Sequence, residues 1–343
     1  MQYSLSQYVL LSLATFIYVG LLTPLMRRIA LTVNAVDRPT IDRKTQKEPV
    51  PYLGGVSIAI GILFASYFAL AYNEVTKNNL FAASSVLIPA AALGVMGLID
   101  DLRGLEPWPR LIAQTLVAII ISGILIATDT IGTPSQFFFI DVVITIFWIV
   151  GVCNSINFFD NLDGGAAGTV MVISFFIFLI AYDGGQIMVS ALSIVTAGAT
   201  AGFLIWNRPP AKIYMGDAGA LFLGIIVAVL TIRLKPDIQP SWKSLSIPLF
   251  LMAVPLLDTC VAVTSRLARR ISPFTGGRDH LSHRLMRKGL HRRTAAITLW
   301  ALAGVYGTIS YAIFKGQSSA LIILAALTWA YLFFFFIRIP HSD

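Results

Sequence analysis

Charged side chains are scarce in this sequence. Lys, Arg, Asp and Glu make up 12% of its 343 residues, about half the share found in ordinary soluble domains. Cysteine occurs twice and histidine four times, which excludes a disulfide scaffold and a cysteine-rich metal knuckle. We interpret Cys153 and Cys260, which lie in apolar segments, as packing residues. With 57% hydrophobic residues, the chain is neither a disordered protein nor a soluble globular enzyme.

Long apolar runs recur along the whole chain, and the mean hydropathy is +0.78. A helix needs about 20 apolar residues to cross a bilayer, and a helix satisfies its own backbone polar groups there. The pattern predicts an all-α polytopic membrane protein with about eleven transmembrane helices. The segments lie at about 5–25, 52–72, 81–99, 111–128, 138–156, 166–182, 187–205, 218–233, 244–266, 294–314 and 320–337.

Basic residues predict the orientation of these helices. With the N-terminus outside and the C-terminus cytoplasmic, 20 of the 25 Lys and Arg residues fall on the inner side, as the positive-inside rule requires. The net charge of +8 is therefore assigned to inner loops, and no nucleic-acid partner is expected. We expect residues 1–343 to form a single integral-membrane catalytic domain. Its cytoplasmic loops are predicted at about 26–51, 100–110, 157–165, 206–217 and 267–293.

Three of these loops carry compact acidic motifs. Adjacent Asp100 and Asp101 end a helix, where the dipole and mutual repulsion disfavour them unless a cation is near. Asp160 and Asp163 are three residues apart, so a helical turn would direct both to one point. Asp217 precedes the eighth span. A solvated loop start, an Asx-rich capping turn and a helix N-cap are the respective alternatives.

A fourth motif combines histidines and arginines in the last inner loop. Arg278, His280, His283 and Arg284 form a dense set of donors suited to phosphate or sugar oxygens. A zinc site is the sharper alternative, but it lacks a third neutral ligand or a thiolate nearby. A solvated basic loop is the simpler one. The first inner loop adds weaker signals, including Lys44, which positive-inside charge alone could explain.

Carboxylates without thiolates favour Mg²⁺, with Mn²⁺ as a second choice. Carboxylates, a divalent metal and a basic cluster on one water-facing surface are typical of phosphoryl transfer. A transporter, to which an acid within the ninth span (Asp258) would be suited, and a non-catalytic scaffold are the rival classes. The acids gather at one interface rather than at the midplane, which favours the enzyme.

The four motifs, in this order, resemble those of the polyprenyl-phosphate N-acetylhexosamine-1-phosphate transferases (glycosyltransferase family 4). The resemblance implies transfer of a sugar-1-phosphate, most simply GlcNAc-1-phosphate, from a UDP-N-acetylhexosamine to undecaprenyl or decaprenyl phosphate. UMP would be released at the cytoplasmic face of a bacterial plasma membrane, and a homodimer is a further expectation. The alternative donor is UDP-MurNAc-pentapeptide, although its branch has a triple-histidine motif that this chain lacks. Ser282 and Gln46 replace histidines common in the GlcNAc branch.

The resemblance also implies residue roles. The implied metal ligands are Asp217, Asp100 and Asp101. The implied catalytic residues are Asp100, Asp101, Asp160, Asp163 and His283. The implied substrate-binding residues are Asn157, Asn161, Tyr214, Arg278, His280, Arg284, Lys44 and Arg110. We expect direct in-line attack by the lipid phosphate, which is mostly a dianion at pH 7, and a covalent aspartyl-phosphate route is the second choice.

Overall fold

The computed structural model describes residues 3–37, 49–72, 76–135 and 137–339. This part of the chain contains thirteen helices and one short antiparallel ribbon, β1 (Val36–Asp37) with β2 (Val50–Pro51). The helices are α1 (Leu5–Thr32), α2 (Gly54–Tyr72), α3 (Lys77–Arg103), α4 (Pro107–Ala127), α5 (Phe138–Phe159), α6 (Gly165–Asp183), α7 (Ile187–Asn207), α8 (Gly216–Arg233), α9 (Ser241–Leu251), α10 (Ala253–Ala268), α11 (Leu281–Arg287), α12 (Arg292–Gly316) and α13 (Ser319–Ile337).

Within the described ranges, ten helices are long and apolar enough to cross a membrane, and the bent pair α9 and α10 makes eleven if it counts as one span. The prediction of an all-α polytopic membrane protein with about eleven spans is therefore confirmed. The sidedness of the termini, the single-domain boundary and the homodimer stay predictions.

Local sequence signals explain several helix ends. Ser4 and Gln7 form a reciprocal capping box that starts α1. The Thr76 side chain caps α3, and Pro107 occupies the first position of α4, where its missing N–H costs nothing. Gly104 ends α3 in the left-handed conformation and donates to the Asp100 carbonyl at 2.7 Å.

The ninth predicted span, about 244–266, is two helices that meet at 72°. A continuous helix would need an amide on residue 255 to donate to the Leu251 carbonyl, and Pro255 has none. Instead α9 closes with the Met252 amide donating to the Pro248 carbonyl at 3.1 Å, and Pro255 is accommodated in the first turn of α10.

Helix α8 forms the centre of the bundle. Its residues from Ala218 to Thr231 are all buried, and it packs against α2, α3 and α5. The approach of α3 is so close that a Cβ on Gly97 would lie 2.4 Å from the Asp217 carbonyl oxygen. This contact places the start of α8 beside the end of α3, and so brings two of the acidic motifs together.

Candidate active site

Two carboxylates from different helices share one arginine. Asp100 lies near the end of α3, Asp217 in the first turn of α8 and Arg110 in the first turn of α4. Arg110 Nη1 lies 2.7 Å from Asp100 Oδ2 and 2.8 Å from Asp217 Oδ2. The structure therefore brings together two acids from separate motifs of the sequence. A charge-assisted contact to both carboxylates offsets the repulsion between them.

Asp101 faces the start of α8 from the side. Its Oδ1 accepts from the Asp217 amide at 2.9 Å, and its Oδ2 accepts from the Ala218 amide at 3.1 Å. Gly216 makes this possible, since its φ is +72° and a Cβ there would lie 2.5 Å from Asp101 Oδ2. Asp101 thus caps α8 and fixes the direction of Asp217. Its predicted contact with metal stays a prediction.

The end of α5 supplies the third part of the acidic cluster. Asn157 Nδ2 donates to Asp217 Oδ1 at 2.7 Å, so both oxygens of Asp217 are oriented by neighbours. Asp160, three residues later, is the first residue after α5. Burial, followed by the negative charges of Asp217, Asp101 and Asp163, raises the pKa of Asp160 to about 8. An additional cation at this cluster would relieve that repulsion.

The loop after α5 is fastened to the loop before α8. Asp163 Oδ2 accepts from the Ala211 amide at 3.0 Å, and burial raises the pKa of Asp163. The main chain of Tyr214 pairs with Pro51 and Gly54, at 2.7 and 3.0 Å. Its half-buried phenol has a pKa raised by burial and then by the charge of Asp163. Tyr214 therefore borders the acidic loop, and its stacking on a base stays a prediction.

A hydrogen bond joins the acidic loop to the histidine loop. Ser282, in the first turn of α11, donates its hydroxyl to Asn161 Oδ1. Asn161 Nδ2 in turn donates to the Phe158 carbonyl at 2.7 Å. The Arg266 guanidinium lies over the Phe158 ring, 5.3 Å from its centroid. The residue that departs from the common histidine pattern is thus a bridge between two motifs.

Asp279 is held by two arginines at the end of α10. Arg266 donates from Nε and Nη2 to its two oxygens, both at 2.9 Å, and Arg269 Nη2 donates at 2.8 Å. Burial alone would raise the pKa of Asp279, but the hydrogen bonds and charge of Arg266 outweigh it and lower that pKa. The loop is therefore anchored by a buried ion pair with bidentate geometry.

His280 is enclosed by protein groups on both ring nitrogens. Its Nδ1 lies 2.7 Å from Asp258 Oδ2, and its Nε2 lies 3.0 Å from Arg266 Nη2. Asp258 Oδ1 also accepts from the Leu281 amide at 2.6 Å. An ionised carboxylate only accepts and a guanidinium only donates, so these contacts assign His280 the neutral tautomer with hydrogen on Nδ1. The geometry gives His280 a positioning role and leaves neither nitrogen for the substrate contact expected from the sequence.

His283 is the histidine that remains available. It is half-buried, and its ring centroid lies 6.3 Å from that of His280. Burial lowers the pKa of His283 to about 4, and the positive charges of Arg287 and Arg278 add to this effect against an opposing effect of Asp258. At neutral pH His283 is therefore a neutral imidazole that can donate and accept one hydrogen bond each.

Arg284 fastens the end of the last helix, and the structure differs here from the expected substrate contact. Its side chain is 1% exposed. Nε donates to the Asp279 carbonyl at 2.8 Å, and Nη1 donates to the carbonyls of Phe336 at 2.8 Å and Ile339 at 2.5 Å. Arg278 lies half-buried in the preceding loop. Lys44 lies outside the described residues.

The acidic cluster fits a metal that a substrate would share. Across the described ranges, no group of three His, Cys, Asp or Glu side chains could enclose a metal ion. Asp100 and Asp217 nevertheless present hard oxygens side by side. Mg²⁺ usually takes one or two carboxylates and completes its shell with water and substrate phosphates. The donor set therefore fits Mg²⁺ better than a closed zinc site, for which His280 has no free nitrogen.

Sequence reasoning missed three residues of the site. Asp258, Arg266 and Arg269 position the histidine loop. Asp258 carried a usable signal, since an acid inside an apolar span is a functional candidate by default. Its partner could have been sought among the histidines of the next loop. The two arginines carried none, because nine Lys and Arg residues crowd positions 266–293.

Comparisons with known proteins match the part of the chain that carries the acidic cluster. The model of glycosyl transferase family 4 matches residues 83–235, which include the acidic cluster. The chain is 30% identical over 332 residues to a probable undecaprenyl-phosphate N-acetylglucosaminyl 1-phosphate transferase from Bacillus subtilis (strain 168), covering 95% of this chain and 88% of that one. It is also 30% identical over 355 residues to the decaprenyl-phosphate N-acetylglucosaminephosphotransferase of Mycobacterium tuberculosis (strain ATCC 25618 / H37Rv), with the same coverage.

A second group of relatives matches less of the chain. The phospho-N-acetylmuramoyl-pentapeptide-transferase of Streptococcus thermophilus (strain CNRZ 1066) is 29% identical over 206 residues, which is 56% of this chain and 61% of the relative. The similarity to the N-acetylglucosaminyl phosphate transferases instead extends through nearly all of both proteins. From this identity and coverage, and from the matching family model, the chain belongs to glycosyl transferase family 4.

Proposed function

We propose that this membrane enzyme transfers GlcNAc-1-phosphate from UDP-GlcNAc to a polyprenyl phosphate and releases UMP. The pairing of Asp100 and Asp217 through Arg110 carries the proposal. The names of the relatives that match along the whole chain support the acceptor and the sugar. The loops that carry the site residues lie on the side of the bundle with most of the Lys and Arg residues, which favours a cytoplasmic active site in a plasma membrane.

The main obstacle to this reaction is electrostatic. A phosphate monoester has a second pKa near 6, so the lipid phosphate is mostly dianionic at neutral pH and is already a competent nucleophile. It must approach a diphosphate that is also negative. We assign Asp100 and Asp217 to hold Mg²⁺, which when bound would neutralise phosphate charge. The Arg110 guanidinium lies between these carboxylates and is placed to bind phosphate oxygen.

The proposed chemistry is a single in-line displacement. An oxygen of the lipid phosphate forms a bond to the sugar-bearing phosphorus, and the bond from that phosphorus to the UMP oxygen breaks. Asp100 orients the lipid phosphate, and Asn157 keeps Asp217 directed at the diphosphate. His283 donates to the sugar or diphosphate as a neutral imidazole. Asp160 and Asp163 line the nucleotide side, with Tyr214 beside the base. A phosphorylated aspartate trapped without lipid would favour the covalent route instead.

The UDP-sugar that the protein accepts distinguishes between the reactions named for the two groups of relatives. Purified protein would be given undecaprenyl phosphate, Mg²⁺ and one of UDP-GlcNAc, UDP-GalNAc or UDP-MurNAc-pentapeptide, and the lipid product would be identified by mass. We expect a lipid-pyrophosphate GlcNAc and equimolar UMP. A product only from UDP-MurNAc-pentapeptide would assign the peptidoglycan reaction. Absence of UMP release with every donor would overturn the enzyme assignment.

A further inference from the structure

A cavity of about 380 Å³ lies between the turn after α11 and the end of α13. It is lined by Lys288, Tyr331, Phe334, Phe335, Arg338 and Ile339. None of these residues belongs to the acidic cluster or to the network around His280. The cavity is on the same face of the bundle as those groups, because Arg284 of α11 reaches the carbonyl of Ile339.

The wall of this cavity is an aromatic stripe on one side of α13. Tyr331 and Phe335 are four residues apart and Arg338 follows three residues later, which is the spacing of one helix face. The rings are exposed within this chain, at 68% for Tyr331, 58% for Phe334 and 42% for Phe335. An apolar surface therefore extends along the membrane-spanning helix and ends at a cation.

Two cations close the polar end of the cavity. Lys288 is the residue directly after α11, and Arg338 is the residue directly after α13. Within the part of the chain that the structure describes, neither side chain forms an ion pair or a hydrogen bond. Positive-inside charge and interfacial aromatics would explain each residue singly. They do not explain a cavity that places both charges at the end of one apolar stripe.

We propose that this cavity binds an anionic membrane phospholipid. The headgroup phosphate lies between Lys288 and Arg338, and an acyl chain follows the stripe of Tyr331, Phe334 and Phe335. Basic pockets beside transmembrane helices recognise anionic headgroups in this manner. The two positive charges favour an anionic over a zwitterionic lipid, and the apolar wall favours a lipid over a free phosphate. Since Ile339 lines the cavity and accepts from Arg284, the lipid also stabilises the wall that holds the histidine loop.

Native mass spectrometry of the full-length protein in detergent tests the proposal. Phosphatidylglycerol and phosphatidylcholine with identical acyl chains would be titrated separately. We expect one phosphatidylglycerol to bind more tightly than any phosphatidylcholine. The double variant Lys288→Gln with Arg338→Gln loses two charges worth about 1 kcal/mol each near an anionic headgroup, so it should bind phosphatidylglycerol about thirtyfold more weakly.

Two further variants separate a specific site from general charge. Arg293→Gln removes an exposed cation at the start of α12 that does not line the cavity, and it should leave the affinity unchanged. Lys288→Arg keeps the charge and should retain binding. Melting temperatures in detergent establish that each variant is folded.

Several results would overturn the proposal. Equal affinity for the two lipids, or an unaltered affinity in the double variant, would remove the headgroup site. Displacement of phosphatidylglycerol by millimolar inorganic phosphate would make it a free-phosphate site. Displacement by undecaprenyl phosphate at equal concentration would assign the cavity to the acceptor. None of these results depends on whether the protein releases UMP, so the proposed reaction is tested separately.

Discussion

His280 places its Nδ1 2.7 Å from Oδ2 of Asp258, a fully buried acid in the first half of α10. The other oxygen of Asp258 caps the start of α11 through the Leu281 amide. One intramembrane carboxylate thus fixes both the tautomer of a histidine and the position of the helix that carries His283. Asp258 is an acid of the kind that transporters use within the membrane, but here it supports the loop that carries the histidines.

Asp258→Asn tests this relationship. An asparagine oxygen can accept from either His280 or Leu281, but its NH₂ group must then face the other donor. Leaving one buried donor unsatisfied costs about 1–3 kcal/mol. We expect a lower melting temperature and a raised KM for UDP-GlcNAc, with a smaller change in the KM for the lipid. Steady-state kinetics with each substrate varied in turn measure the difference.

Cys260→Ala is the matched control for this variant, since Cys260 lies on the same helix and is exposed, contrary to its interpretation as a packing residue. Cys260→Ala should change neither the melting temperature nor the KM for UDP-GlcNAc. A destabilised Asp258→Asn with an unchanged donor KM would reduce Asp258 to a residue that only supports the fold.

Asp217→Asn is expected to abolish turnover at saturating Mg²⁺ while the protein stays folded in detergent. The substitution removes a negative charge from the proposed metal site but retains an oxygen that can accept from Arg110 or Asn157. Loss of about 3 kcal/mol or more of transition-state stabilisation corresponds to at least about a hundredfold in rate. UMP release by the purified variant measures this loss, and near-normal turnover would take Asp217 out of the metal site.

His283→Ala should mainly impair use of the UDP-sugar. The imidazole is half-buried and neutral at pH 7, so it contributes hydrogen bonding and not charge. We expect a raised KM for UDP-GlcNAc, with partial recovery in His283→Gln, which can still donate. Donor kinetics of the two variants, with the lipid held at saturation, give the measurement. Unchanged KM and kcat in the alanine variant would contradict the assigned contact.

The lowered pKa of His283 makes the stability of the folded protein depend on pH. This pKa falls from 6.5 to about 4 in the folded protein, because burial and neighbouring cations disfavour the charged form. Between these values the unfolded chain binds a proton that the folded chain does not, so this contribution to stability is complete above pH 6.5 and is lost towards pH 4. The melting temperature of wild type should therefore fall relative to that of His283→Gln between pH 7.5 and pH 5. A difference in melting temperature between the two proteins that stays constant from pH 7.5 to pH 5 would contradict the lowered pKa of His283.

Gly216→Ala tests the cap that Asp101 forms on α8. The added Cβ would meet Asp101 Oδ2 at 2.5 Å, in a backbone conformation with φ of +72°. A non-glycine residue there costs about 1–3 kcal/mol, and displacement of Asp101 would also redirect Asp217. We expect a lower melting temperature and a larger proportional loss of kcat. Gly123→Ala, at a helical position with open space around it, is the control and should be neutral in both assays.

The sequence predicts the membrane topology of this protein. Hydropathy gives the number of transmembrane helices, and the distribution of Lys and Arg indicates which loops lie on the same side of the membrane. The same reasoning places the acidic motifs in loops on one side of the membrane, where their side chains can come close together. The bridge from Arg110 to Asp100 and Asp217 could not be derived in this way, because it depends on how α3, α4 and α8 pack. The break between α9 and α10 had a local signal in Pro255 that the hydropathy average conceals.

The histidine loop shows why residue type alone misassigns roles. His280 and Arg284 carry hydrogen-bond donors that could bind a phosphate or a sugar. The density of His and Arg side chains in this loop therefore predicted a ligand site. In the structure both are occupied by protein acceptors that lie far away in sequence, Asp258 for one and the carbonyls of Phe336 and Ile339 for the other. Among the residues that the structure describes, the ring of His283 has no such acceptor, so His283 remains the candidate for a direct substrate contact.

The fastening by Arg284 has a consequence for biogenesis. Its acceptors at Phe336 and Ile339 are translated 52 and 55 residues after it. A nascent chain that has emerged only as far as α12 already contains every acid of the cluster, yet its histidine loop lacks the carbonyls that hold it. The contacts that hold Arg284 can therefore form only after the end of α13 has been synthesised.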